Sequence, residues 1–194
     1  CIEVNTHKFC YLMHILFWAA FYVPFPGGYA NSLHGLAKRI VKRGHKVTVI
    51  TARLNGWADE ERIDGVHVIR FQCWNPKALN ESFPMPRWGA VRRAVSRIET
   101  PVDLVSTQTR FFTTSLHGWR YATRHKLPLV HVERGGQHTV AGPLVTLAGK
   151  ILDHTQGTLL AKCSTVNVGV SGAASEFMAH LGAKQTETIF NGVD

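Results

Sequence analysis

A carboxylate, a guanidinium and a glycine pair stand together at Glu133-Arg134-Gly135-Gly136, with His131 before them and His138 after. Charge-assisted hydrogen bonds from such a cluster could orient an acceptor hydroxyl and hold a leaving phosphate. The plainer reading of the same residues is an ion pair that closes a loop. A second glycine pair, Gly27-Gly28, follows a run of apolar residues and precedes a helical pattern. Without side chains there, backbone N–H groups and the positive end of a helix can approach a phosphate or a sugar hydroxyl, although a tight turn also uses glycines. The dinucleotide fingerprint GxGxxG is absent, which argues against nicotinamide chemistry.

Other chemistries leave no trace. Eleven histidines include no HExxH spacing, and cysteines 1, 10, 73 and 163 form no CxxC pair. No metal is expected, and neither is a disulfide framework, so a reducing, cytoplasmic setting fits best. The formal charge of +9 implies an anionic partner, for which nucleotide phosphates, acidic lipid headgroups and nucleic acid all qualify. No zinc-finger or RNP segment is present and the basic residues are scattered, so no nucleic-acid partner is expected. Arg87, Arg92, Arg93 and Arg97 interleave with Trp88, Val91, Val95 and Ile98. That pattern describes a helix packed on a sheet, or one lying at an anionic membrane surface. A cytoplasmic protein, peripheral at the membrane if that helix binds lipid, is the resulting expectation. His67, His117 and His180 stand alone and read as surface or core residues.

The elements that must position these residues alternate between strand and helix. At 194 residues and 45% hydrophobic, the chain can bury a full sheet. The apolar stretch 9–25 could be a signal peptide with 27–30 as its cleavage region. A buried strand from His14 that runs into a Pro/Gly turn is the better reading, and the stretch is too interrupted to span a membrane. Met13 directly precedes that strand, and residues 1–12 read as an upstream extension without function. A helix over 30–43, capped by Asn31 or Ser32 and ended by Gly44, leads to strands at 46–51 and 66–71 separated by a polar loop at 59–64. Residues 72–87, with three prolines, read as a loop. There follow a basic helix near 87–98, a strand at 103–107, a helix at 112–125, a strand at 127–132, a helix near 143–162, a strand at 165–170, a helix at 173–181 and a strand at 187–190. Such alternation predicts a doubly wound, mostly parallel Rossmann-like sheet with helices on both faces. Ligands in that architecture bind beyond the carboxyl ends of the strands. The positions there are Pro26, Gly27, Gly28 and Tyr29, then Gln108, Thr109 and Arg110, then Glu133 to His138, then Ser171.

Six of these features occur in one order. They are the glycine pair, Leu36-Ala37, Arg43-Gly44-His45-Lys46-Val47-Thr48-Val49, the Asp64-Gly65-Val66 turn, Val168-Gly169-Val170-Ser171 and Asn191-Gly192-Val193-Asp194. In that order, from about Met13 to the end, the chain resembles family 4 glycosyltransferases. The resemblance implies one half of a GT-B fold, with 13–190 as the N-terminal, acceptor-side domain. It further implies 191–194 as the start of an interdomain hinge, with the donor domain lying beyond it. It implies retaining transfer of a sugar from a nucleotide diphosphate sugar to a hydroxyl on a lipid-linked or glycan acceptor. No cofactor or essential metal is implied, and the isolated chain is expected to be inactive.

By their places at the strand ends, with the match falling on Gly27, Gly28 and Glu133 to Gly136, Glu133 and Arg134 are the catalytic candidates. Gly27, Gly28, Tyr29, Thr109, Arg110, Gly135, Gly136, His138 and Ser171 are the substrate-binding ones. Many family members carry histidine where Arg134 stands. Arginine stays cationic and cannot shuttle a proton at neutral pH, so its expected part is to steady the leaving diphosphate. A GT-B nucleotide-sugar epimerase and a non-catalytic sugar- or nucleotide-binding module remain as alternatives.

Overall fold

The computed structural model describes residues 12–54, 56–74, 83–138 and 142–192. Nearly all of the expected extension, residues 75–82 of the 72–87 loop and the Val193-Asp194 end of the hinge motif lie outside the described residues. Strands β1 (His14–Trp18), β2 (Lys46–Arg53), β3 (Glu60–Ile63), β4 (Val66–Trp74), β5 (Met85–Pro86), β6 (Leu104–Gln108), β7 (Leu129–Glu133), β8 (Val166–Gly169) and β9 (Thr186–Thr188) form one sheet. Its order is β3-β4-β2-β1-β6-β7-β8-β9, with β5 on β4. Pairing is parallel from β4 through β9. Only β3 and β5 run antiparallel, both against β4.

This is the expected wound sheet, and its strands have the apolar, β-branched makeup of strands covered on both faces. The period of two sorts them cleanly. Phe17, Val47, Val49, Val66 and Val68 pack against Leu33 and Ala37 of helix α1 (Gly28–Lys42). Leu16, Trp18, Ile50, Ile69, Phe71 and Val105 face the other way. There they meet Ala90 and Ala94 of α2 (Ala90–Val95) and Ala122 of α3 (Thr113–His125). The remaining helices are α4 (Pro143–Leu152), α5 (Thr158–Cys163) and α6 (Gly172–His180).

Four local expectations change. The polar loop at 59–64 contains β3, joined to β4 by a turn at Asp64 (φ 48°) and Gly65 (φ 81°). This is the Asp-Gly hairpin signal, here made of charged residues because one face of the edge strand meets solvent. Helix α1 starts at Gly28, with Gly27 as its cap and no side-chain cap bond, so neither Asn31 nor Ser32 caps it. The basic helix is only six residues long, because Gly89 (φ 71°) delays its start and the Ser96 hydroxyl donates back to the Arg93 carbonyl (2.9 Å) at its end. The expected 143–162 helix carries a π turn at Asp153–Gly157 between α4 and α5. That turn brings Asp153 and Gly157 inward, where a Cβ on Gly157 would lie 3.1 Å from Leu181 and 3.4 Å from Arg110.

Candidate active site

Strands β1, β6, β7 and β8 end at one edge of the sheet, beside the start of α1. Alternation along β7 continues one residue past its end: Leu129, His131 and Glu133 are buried, while Val130, Val132 and Arg134 line a groove of about 870 Å³ on the α1 face. Gly28, Tyr29, Ser32, Gln108 and Asn191 border the same groove.

Arg134 is the charged centre of that groove. One guanidinium nitrogen donates to Ser32 Oγ (3.2 Å) and Asn191 Oδ1 (3.4 Å), and the other to Gln108 Oε1 (3.4 Å). Its Nε is buried with no hydrogen-bond partner among the described residues. The guanidinium also lies 5.0 Å from the centre of the Tyr29 ring. Burial lowers the Arg134 pKa while Tyr29 and Glu133 raise it, and a guanidinium remains charged throughout. Burial likewise pushes the Tyr29 hydroxyl above the tyrosine range, and that hydroxyl has no partner among the described residues.

Gly27 has φ 135°, a conformation that needs glycine, whereas Gly28 does not. A Cβ at either position would have no protein atom within 4 Å. Helix α1 therefore starts beside open space, and no side chain caps its first turn. A helix N-terminus bared in this way beside a guanidinium suits a phosphate.

Glu133 is not in the groove. It is fully buried, and its Oε1 accepts from the Arg134 N–H (2.8 Å) and the Gly135 N–H (2.8 Å) while pairing with Arg110 Nη1 (3.0 Å). Its Oε2 accepts from the Arg110 N–H (3.0 Å) and lies 3.6 Å from His131 Nε2. Burial pushes this carboxyl up, but His131, Arg110 and the Gly135 N–H outweigh it and hold the pKa at about 2. The expectation that its carboxylate holds an acceptor hydroxyl is corrected: the group is fully buried and held by three backbone N–H groups and Arg110, and the strand alternation turns the side chain to the other face.

Arg110 is corrected in the same way. It is 1% exposed, with Nε on Asp153 Oδ1 (2.6 Å), Nη2 on the Gln137 carbonyl (2.8 Å) and Nη1 on the Gly135 carbonyl (3.3 Å). Phe111 and Phe177 sandwich it at 4.1 and 4.4 Å. His138 joins this network through Nδ1 and Asp153 Oδ2 (2.6 Å). The loop after β7 is thus held from behind by ion pairs, with both carboxylates buried.

Of the other expected residues, Thr109 sits at the edge with φ 63°, which is strained for a β-branched side chain. Its N–H donates to the Val132 carbonyl (2.8 Å), its carbonyl accepts from Ser115 Oγ (2.8 Å), and its own Oγ1 is buried without a partner among the described residues. Gly136 lets the loop approach α6, since a Cβ there would meet the Ala173 Cβ at 2.7 Å, and a Cβ on Gly135 would lie 3.1 Å from Arg110 Nη1. The Ser171 hydroxyl caps α6 by accepting from the Ala174 N–H (3.2 Å). Of the partners of Arg134, Gln108 is one of the expected strand-end positions, whereas Ser32 and Asn191 are functional candidates that the expected site omits.

Among the described residues, Glu60, His67 and Glu99 are the group whose ligand atoms gather within 4.8 Å. They lie at the far β3 edge, where Arg97 (3.9 Å) and Arg62 (2.9 Å) already neutralise the two carboxylates. No described helix is long and apolar enough to cross a membrane.

A doubly wound domain with a bared helix N-terminus, a cationic groove and an ion-paired loop at one strand edge has the makings of a phosphate-handling half-site. The chain belongs to glycosyltransferase family 4, whose model matches residues 26–194. It is similar in fold to sucrose-phosphate synthase from Thermosynechococcus elongatus, with a TM-score of 0.70 at 14% identity over 94% of this chain and 49% of that one. The catalytic domain of starch synthase IV from Arabidopsis thaliana, bound to ADP and acarbose, gives a TM-score of 0.55 at 14% identity over 94% and 52%. The chain therefore spans about half the length of these structures. No curated protein sequence matches it.

Proposed function

We propose that this chain is the acceptor-side half of a retaining glycosyltransferase that moves a sugar from a nucleotide diphosphate sugar to a hydroxyl acceptor. The observation that carries the reading is the pairing of Arg134 with the uncapped start of α1. A cation with an unpartnered Nε and a helix start without a side-chain cap border one groove, an arrangement that stabilises negative charge as a diphosphate leaves. Family membership and a structural neighbour that holds ADP support a nucleotide donor. Neither catalytic candidate serves as a proton shuttle, since Arg134 stays charged and Glu133 is sealed, so the chemistry of this half is positioning and charge stabilisation. No cofactor or metal enters the reading. The acceptor is a hydroxyl on a lipid-linked or glycan molecule, met in the cytoplasm or at an anionic membrane surface.

Titration of the chain with a nucleoside diphosphate, followed by NMR, tests this. The Gly28 and Tyr29 amides and Arg134 Nε should shift together, and sugar transfer by the chain alone should stay at the buffer rate. Shifts confined to other strand ends would refute the site.

A further inference from the structure

Between α2 and α3, on the sheet face opposite α1, runs a second groove of about 990 Å³. Arg87 and Arg92 border it on one side, Arg120 and Arg124 on the other, and no lining residue is acidic. All four arginines are exposed, and among the described residues none is in an ion pair. The expected basic set is redrawn by this arrangement. Arg97 faces Glu60 at 3.9 Å, and Arg93 lies outside the groove lining, whereas Arg120 and Arg124 come from α3, far off in sequence.

Trp88 borders the groove, and Trp74 lies outside its lining, on the strand paired with the segment that leads to Trp88. Trp88 is 99% exposed and Trp74 58% exposed. They lie near one another because Trp74 pairs with Met85 and the Arg87 N–H donates to the Gln72 carbonyl at 2.9 Å. The groove wall between them and the arginines is apolar, with Val91, Val95 and Tyr121. In water this surface leaves indoles exposed and crowds like charges. An interface that is both amphipathic and anionic relieves both: indole rings settle at headgroup level, and guanidinium forks take lipid phosphates.

We infer that this face docks on an anionic phospholipid bilayer, with Trp74 and Trp88 among the headgroups and Arg87, Arg92, Arg120 and Arg124 on lipid phosphates. A single-stranded nucleic acid would instead need charges spaced along a track with aromatic platforms between them, and here the four arginines ring one groove. Since α1 and its phosphate-binding end belong to the opposite face, docking leaves the sugar-transfer edge unobstructed. The inference rests on the transferase reading only for its purpose, so binding is measured without turnover.

The test is sedimentation of the chain with vesicles of phosphatidylcholine, alone or mixed with phosphatidylglycerol. Binding is expected to the mixed vesicles only, to fade with salt, and to weaken at least about tenfold in Arg120→Glu with Arg124→Glu, given what each basic residue contributes at such a surface. Trp88→Ala should weaken it without changing its salt dependence. Lys42→Glu with Arg43→Glu, an equal charge change at the end of α1, should leave it within about twofold if the site rather than net charge governs. Circular dichroism checks that each variant is folded. Equal binding to neutral vesicles, equal loss in the α1 control, or unchanged binding in the α3 variant would overturn the inference. Loss confined to Leu144→Glu with Leu147→Glu would also overturn it, moving the contact to the exposed apolar side of α4. So would displacement by single-stranded DNA from vesicles at equal phosphate.

Discussion

Glu133 and Arg134 are neighbours in the chain and face opposite sides of the sheet. The carboxylate is sealed behind the loop against Arg110, and the guanidinium lines the groove on the α1 side. They nevertheless act as one device, because Glu133 Oε1 accepts the Arg134 backbone N–H at 2.8 Å. The buried ion pair fixes the peptide from which the groove cation projects.

Arg134 should matter for rate far more than for folding. Its side-chain bonds to Ser32, Gln108 and Asn191 are 3.2 to 3.4 Å long, so its loss costs little stability. In an enzyme with both domains, Arg134→Ala should raise the barrier read from kcat/KM by about 2 to 4 kcal/mol, the effect of removing a preorganised charge stabiliser. Arg134→His, which restores the common family residue, should recover part of it. Turnover equal to wild type in both variants would make Arg134 structural.

Glu133→Gln should behave in the opposite way. The substitution leaves Arg110 with Asp153 as its one carboxylate and takes the charge from the acceptor of three buried backbone N–H groups, so the variant should lose about 1 to 3 kcal/mol of stability. The native carboxyl has its pKa depressed to about 2 from an ordinary value near 4.5. Its stabilising contribution is therefore complete above about pH 4.5 and disappears as pH falls through about 2. Denaturant unfolding across that window should show the difference between wild type and variant shrinking toward low pH. A constant difference would mean that the charge of Glu133 is not what the loop depends on.

The two glycines at the start of α1 can be separated experimentally. Gly27→Ala places a side chain at φ 135° and should destabilise the fold itself. Gly28→Val meets no protein atom within 4 Å of its Cβ, so the variant should fold with near-normal stability. It should still lose most activity, because the branched side chain occupies space that a ligand needs. Unchanged kcat/KM in folded Gly28→Val would show that nothing approaches this backbone.

The order of the elements was legible because strand and helix periods differ and the strands are β-branched. What escaped was nonlocal. Arg110 reads like a site residue at a strand end, and only Asp153, brought inward by a π turn, shows that it is buried. Glu133 followed the period of two, and the turn at Gly135-Gly136 comes too late to redirect it. Ser171 has the residue type of a helix cap and the position of a ligand contact, and sequence does not distinguish these. Ser32, Gln108 and Asn191 converge on Arg134 from α1, β6 and the segment after β9, a meeting that no local spacing encodes.

Thr109 offers the last test, since it joins strain to a buried, unpartnered hydroxyl. Its φ of 63° is uncommon for any residue with a Cβ and unfavourable for a branched one, at a cost of about 1 to 3 kcal/mol. Its Oγ1 has no partner among the described residues, so the hydroxyl returns nothing to the fold. Thr109→Gly removes both penalties, while the added freedom of the unfolded chain takes back about 0.5 to 1 kcal/mol. The Thr109 N–H bond to Val132 and its carbonyl bond from Ser115 are backbone features that glycine preserves. The variant should therefore be more stable than wild type by about 1 kcal/mol in denaturant unfolding. If the strained turn serves to shape the strand edge for a ligand, the same variant should bind donor or acceptor less tightly. Higher stability with unchanged binding would leave the strain without a use in this site, and lower stability would show that the conformation is not strained in solution.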